Sequence, residues 1–335
     1  MAKKREGVPI SRVLWLLLIG SLLGGGVRAG AEELTVGYSA ITANQAPLWV
    51  TKEAGLFEKN GLQVTLVFIE GGSKATQALL AGDVPIIKVA GPAVVQSRLA
   101  GGDTLIIAGV FNTLNFKLAT APEIKEPKQL KGKKLGTSRF GSSNDFAARF
   151  MLEHFSLTPD KDVPILQIGS EPARFAALKA GSIQAILVEV PTTLMAKKLG
   201  FNIIADLGEL GLEYQHTAIA TTQGFIQRRG ETVRRFMKAY VEGIHYYKTH
   251  KAESLAVIAR YLKTSDTEAV EEAYNEIGLK RTPSKPYPTL KGIQLILDEI
   301  GEKNPKAKGM KPEAFVDLRF IKELDESGAI DRLYR

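Results

Sequence analysis

The sequence predicts an α/β protein of two similar lobes in series, closed by a mainly helical C-terminal third. Three observations carry this. Short apolar, β-branched runs alternate with helix-spaced segments from residue 34 onward, the pattern of βαβ units around a parallel sheet. A charged stretch rich in Pro and Lys, Ala121–Lys134, separates two such sets. From Ile226 to Tyr334 the spacing is mostly helical.

In the first set, Leu34–Tyr38, Gln63–Ile69, Ile86–Val89 and Leu105–Phe111 read as strands. Pro47–Asn60, Ser73–Ala81 and Pro92–Ala100 between them read as helices. In the second set the strands are Lys134–Thr137, Ile165–Ile168, Ala185–Val188 and the shorter Asn202–Ala205. Its helices are Ser143–Phe155, Pro172–Ala180 and Pro191–Leu199. Phe116–Thr120 and Thr217–Thr222 flank the second set as strands and are candidates for paired crossings between lobes. The C-terminal helices are Thr232–Lys248, Ala252–Leu262, Asp266–Gly278, Leu290–Glu302 and Pro312–Glu326, punctuated by Gly278, Pro283, Pro286, Pro288, Pro305 and Gly309. The expected division is a signal at 1–31, a first lobe made of 32–119 and 217–335, and a second lobe at 120–216.

The chain has 335 residues, 44% of them hydrophobic and 24% charged, which excludes disordered, collagen-like and multi-span membrane classes. With no cysteine, disulfides, thiolate metal sites and Cys nucleophiles are excluded. The four histidines, His154, His216, His245 and His250, are too scattered to suggest a metal site, and no cofactor is expected. The net charge is +8, half of it within residues 1–31, so the rest carries only a mild excess and no nucleic-acid partner is implied. Lys3, Lys4, Arg5 and Arg12, the apolar Val13–Leu23 and the small-x-small Ala29-Gly30-Ala31 form a secretory signal pattern. The apolar run falls short of the about 20 residues a membrane span takes. Cleavage after Ala31 and a periplasmic location are expected.

In α/β sheets, ligands bind beyond the carboxyl ends of strands. Those joints here are small or polar: Ser39–Gln45, Glu70–Ser73, Ala90–Pro92, Ser138–Asp145, Gly169–Pro172 and Glu189–Pro191. At Gly141–Asp145, Ser142 is placed to cap a helix, with Asp145 three residues on as in a capping box. Free N–H groups at such a start attract anions, and Arg139 adds charge nearby. A capped helix without a ligand is the plainer alternative for one such joint, but six joints on two facing lobes make a cleft. Gly71-Gly72-Ser73-Lys74 lacks P-loop spacing, no G-x-S-x-G elbow is present, and His245 and His250 miss the H-E-x-x-H spacing. An enzyme is therefore not expected.

Three stretches carry a family resemblance: LTVGYSAITANQAPLWVTKEAGLFEKNGLQV (34–64), LKGKKLGTSRFGSSNDFAARFML (130–152) and GSEPARFAALKAGSIQAILVEVP (169–191). The chain resembles periplasmic solute-binding proteins of ABC transporters, of the nitrate, sulfonate, taurine and thiamine-precursor type. The resemblance implies a type II periplasmic-binding-protein fold, with the C-terminal helices packed on the first lobe and a ligand closed between the lobes. By position, Ser39, Asn44, Gln45, Gly72, Ser73 and Gly91 would line one wall. Ser138, Arg139, Gly141, Ser142, Ser143, Asn144 and Glu189 would line the other. Glu189 either meets an amine-bearing or zwitterionic ligand, which disfavours plain nitrate, or pairs with Arg139 or another internal base. The implied partners are a small polar or anionic organic solute, such as a sulfonate or taurine-like compound, and an inner-membrane ABC permease, with the chain a monomer. A periplasmic sensor subunit, or an enzyme like the pyrimidine-precursor synthases of the same fold, is the alternative.

Overall fold

Strand β1 (Glu32–Tyr38) starts the first sheet because its alternating apolar residues need cover on one face, and β2 (Leu62–Phe68) pairs parallel to it along its whole length, from Glu32 with Leu62 to Tyr38 with Phe68. β3 (Ile86–Ala90) is buried at every residue, as a central parallel strand must be. β4 (Thr104–Thr113) and β10 (Glu213–Thr222) complete the order β2-β1-β3-β10-β4, with β10 antiparallel to both its neighbours. The second sheet repeats this plan. β6 (Leu135–Thr137), β7 (Ile165–Gln167) and β8 (Ala185–Val188) are parallel, and β5 (Lys117–Thr120) lies antiparallel between β8 and β9 (Asn202–Asp206). The order is β7-β6-β8-β5-β9, the same topology as the first sheet. No repeat is visible between the two sets in the sequence. The computed structural model describes residues 1, 2 and 31–335; the expected signal falls on residues outside these.

Phe116–Thr120 and Thr217–Thr222 do not pair with each other as crossings. Each is the antiparallel member of its own sheet, where both edges of its backbone are satisfied. The chain passes between sheets just outside these strands. The passages run side by side: the Leu207 N–H donates to the Phe116 carbonyl at 2.9 Å, and Glu213 is in register with Thr113.

Helices fill the connections, with differences that have local causes. Pro47–Asn60 is not one helix: Gly55, at φ 68°, breaks it into Ala46–Glu53 and Leu56–Lys59. Asp266–Gly278 becomes Thr267–Ala273 followed by a wider π turn, Tyr274–Arg281. Pro312–Glu326 divides into a single turn, Pro312–Phe315, and a helix, Arg319–Glu326, because Val316 is extended and bridges Ile106. The long helix Gln223–Thr249 begins earlier than its periodicity predicts; Thr222 caps it and Arg229 kinks it.

The C-terminal helices cover the first sheet. Phe57 stacks on Phe236 at 5.2 Å and Trp49 on Tyr261 at 4.7 Å, and Trp49, Phe57, Phe236 and Tyr240 are fully buried. Each such side chain contributes about 1.5–3 kcal/mol of burial. The first sheet thus has a rigid backing, and its loops are free to face the second sheet. Among the described residues no helix is long and apolar enough to cross a membrane.

Candidate ligand-binding site

The loops at the carboxyl ends of the parallel strands of both sheets meet around a cavity of about 60 Å³. Ser39, Asn44, Gln45 and Gly72 line it from the first sheet, and Ser138, Ser142, Ser143, Asn144 and Glu189 from the second. Four residues expected in the walls lie outside this lining. The Ser73 hydroxyl donates to the Phe140 carbonyl at 2.9 Å, and Arg139 Nη2 is 3.8 Å from Glu70 Oε1. Both contacts join loops of the two sheets beside the cavity. The Gly141 N–H donates to Asp145 Oδ2 at 2.9 Å, and Gly91 packs against the Gln215 backbone. The sequence did not single out Phe116, Arg174, His216 and Thr217, and gave Thr42 and Glu171 only as parts of joints; all line the cavity.

Asn44 is held from three sides. Lys88 Nζ donates to its backbone carbonyl at 2.6 Å, Asn115 Nδ2 donates to its Oδ1 at 3.2 Å, and its own Nδ2 donates to Glu189 Oε1 across the cleft. Lys88 is fully buried in β3, with its ammonium 5.8 Å and 5.7 Å from the Phe111 and Tyr240 ring centroids. Burial pushes its pKa well below the ordinary lysine value. A lysine inside the apolar run Ile86–Ala90 was the legible signal for this anchor.

The charged groups are arranged in depth. Glu189 is 3% exposed and does not pair with Arg139; His216 Nε2 is 3.6 Å from Glu189 Oε1, and Glu171 Oε1 accepts from the Glu189 N–H at 3.5 Å. Burial, then the nearby Glu171 carboxylate, pushes Glu189 up to about 8. Burial also raises Glu171, against the opposing pull of Arg174, and pushes His216 down to about 3, so the imidazole is neutral at pH 7. Both terminal nitrogens of Arg174 are committed to the protein, while its buried Nε has no hydrogen-bond partner among the described residues. Nη1 donates to Gly169 O at 2.7 Å, and Nη2 meets Leu187 O at 3.3 Å and Glu171 Oε2 at 3.5 Å. Glu171 has Arg174 as its ion-pair partner, whereas Glu189 has the neutral His216 beside it.

On the same second-sheet wall stands the start of the helix Ser143–His154, with Asn144 Nδ2 donating to Leu187 O at 3.5 Å, two residues before Glu189. Ser142 Oγ accepts from the Asp145 N–H at 3.3 Å and shares a 2.7 Å hydrogen bond with Ser138 Oγ. Asp145 reaches back to Gly141, one residue beyond the partner a capping box requires. Asn144 is tied inward, its Oδ1 accepting from Thr137 Oγ1 at 3.0 Å and from the Ser138 N–H at 3.2 Å. The N–H groups of Ser143 and Asn144 belong to the first turn and have no intrahelical acceptor, so they are presented to an anionic group. Ser142→Ala should weaken solute binding tenfold to a hundredfold, roughly one charge-assisted hydrogen bond. It should also cost about 1 kcal/mol of ligand-free stability through the lost cap. Ser143→Ala, inside the first turn, should disturb the fold less. Calorimetric titration beside ligand-free melting separates the two effects, and wild-type binding by both variants would remove the helix start from the site.

YtlA of Bacillus subtilis (strain 168), named as a candidate binding protein, is 24% identical over 269 residues, covering 77% of this chain and 80% of YtlA. Among solved structures, the alkanesulfonate-binding protein SsuA from Xanthomonas axonopodis pv. citri, bound to MOPS, matches with a TM-score of 0.71 at 19% identity over 85% of this chain and 96% of SsuA. The desulfurization enzyme DszB matches with a TM-score of 0.64 at 16% identity over 88% of this chain and 99% of DszB. The fold is that of periplasmic binding proteins, and it is shared by binders and by at least one enzyme. The model of the NMT1/THI5-like family matches residues 42–254, from the Asn44 loop through the helix after β10, and the chain therefore belongs to that family.

Proposed function

We propose that this protein is an extracytoplasmic solute-binding protein that captures a small organic solute carrying both an acid group and a cationic N–H group, a taurine-like zwitterion, and delivers it to an ABC importer without turning it over. The observation that carries this is that the buried Glu189 and the helix start at Ser142–Asn144 line one interlobe cavity. The acid group sits at the helix start, where the peptide dipoles and N–H groups favour negative charge. The cationic group sits at Glu189, beside a neutral His216. Plain nitrate has no cationic group to ionise Glu189. The likeness to YtlA and to SsuA supports a binder; the shared fold of DszB means that the fold alone does not decide it. MOPS, bound to SsuA, is itself an aminosulfonate. Closure is a hinge at the two adjacent passages, with the ligand shifting the open–closed equilibrium. The signal at 1–31 sends the chain to the periplasm, where it works as a monomer.

Calorimetric titration with taurine, ethanesulfonate and ethylamine tests this. Taurine should bind at least tenfold tighter than either single-headed compound. Equal binding of taurine and ethanesulfonate would contradict the role of Glu189. Consumption of taurine over many turnovers would contradict a carrier.

A further inference from the structure

We propose that the solute also carries an apolar ring or chain, which lies in a second compartment beside the polar cavity. This inference rests on the reading of the polar cavity given above. The cavity around Glu189, at about 60 Å³, is less than half the roughly 150 Å³ that accepts a benzene ring. It encloses a head group, and the rest of an organic solute has to leave it.

The compartment that receives this remainder has a volume of about 540 Å³ and shares Thr42 with the polar cavity. The same three loops build both. Ile41 turns into the compartment beside Thr42, Pro172 beside Glu171, and Pro191 two residues after Glu189. Its further walls are Phe175 and Met195 from the second-sheet side and Leu262 from the first-sheet side, so it is completed only when the lobes meet. Most of the lining is apolar, with Thr42, Thr192 and Thr264 among it, so much of the water inside can be displaced by an apolar group. Lys179 and Lys263 stand exposed in the lining, where their charges reach solvent. A concave site made from both lobes and sharing the Thr42 wall with the head-group cavity suits a substituent of the same ligand. A flat partner surface would not share a wall with that cavity.

Titration of the purified full chain with taurine and with N-cyclohexyltaurine tests the proposal, since the two share the sulfonate and the nitrogen and differ by the ring. Each buried methylene is worth about fourfold in affinity. With half of the ring's six carbons buried, N-cyclohexyltaurine should bind about a hundredfold tighter than taurine. Ala176→Trp, at an exposed lining position away from the polar cavity, should fill the compartment. It should bring N-cyclohexyltaurine to within about threefold of taurine and leave taurine unchanged. Equal affinities in the wild type would overturn the compartment while leaving the polar site standing. A ring advantage that survives Ala176→Trp would also overturn it, because the ring would then lie elsewhere. If neither compound binds, the reading of the polar cavity fails and this inference fails with it.

Discussion

Glu189→Gln is expected to weaken taurine binding about a hundredfold. The carboxyl is buried, and its hydrogen-bond partner Asn44 is itself fixed by Lys88 and Asn115. A ligand cation placed there meets a carboxylate with little water between, and losing such a pair costs about 3 kcal/mol. Gln keeps the shape and the acceptor for Asn44, so the loop should stay in place. The ligand-free protein gives an independent check. A carboxyl whose pKa rises from 4.5 unfolded to about 8 folded binds its proton more tightly in the folded state. Its contribution to stability is complete below 4.5 and is lost as pH rises through 8. Glu189→Gln removes that loss. The variant should match the wild type at pH 5 and melt higher than it at pH 9. If melting curves show the same pH slope for both proteins, Glu189 is not the buried acid described here.

Gly91→Ala should damage the fold rather than the ligand contact. A Cβ at residue 91 would lie 2.2 Å from the backbone carbonyl oxygen of Gln215 and 2.9 Å from Gln215 Cγ. Gln215 cannot move aside easily. It is fully buried in β10, its Nε2 donates to Thr217 O at 3.0 Å, and its Oε1 accepts from the Thr289 N–H at 2.9 Å. Overpacking against fixed backbone costs about 3 kcal/mol. For a chain of this size that lowers the melting temperature by about 5 °C. A ligand contact at Gly91 would instead lower affinity with the ligand-free melting temperature unchanged. Thermal melting of the ligand-free variant distinguishes the two.

The alternation of strands and helices was legible because parallel strands buried on both faces read as apolar runs: Ile86–Ala90 and Ala185–Val188 stand out without any other information. The joints were legible for a related reason. Loops that approach a ligand or a facing loop need small residues, and Ser39, Gly72, Ser138 and Ser142 were visible on that ground. Hidden from the sequence was what depends on the chain returning. β10 enters the first sheet about a hundred residues after β4, and only this return brings His216 and Thr217 to the cavity. Arg174 sits one helical turn after Glu171, a spacing that carries no functional signal without its burial. Arg139 shows the converse: its charge marked it as a ligand contact, yet it meets Glu70 at the rim. Charge type and spacing identify candidates, and burial decides which of them face a ligand.

The account centres on Glu189 giving up its proton to hold a cationic group inside the interlobe cavity. Titration with taurine at pH 7 in phosphate and in imidazole buffers, which differ in ionisation enthalpy, counts the protons released on binding. A carboxyl with a pKa of about 8 is about 90% protonated at pH 7. The wild type should therefore release close to one proton per taurine bound, and Glu189→Gln almost none. Taurine binding with the same enthalpy in both buffers, and hence no proton released, would contradict the account.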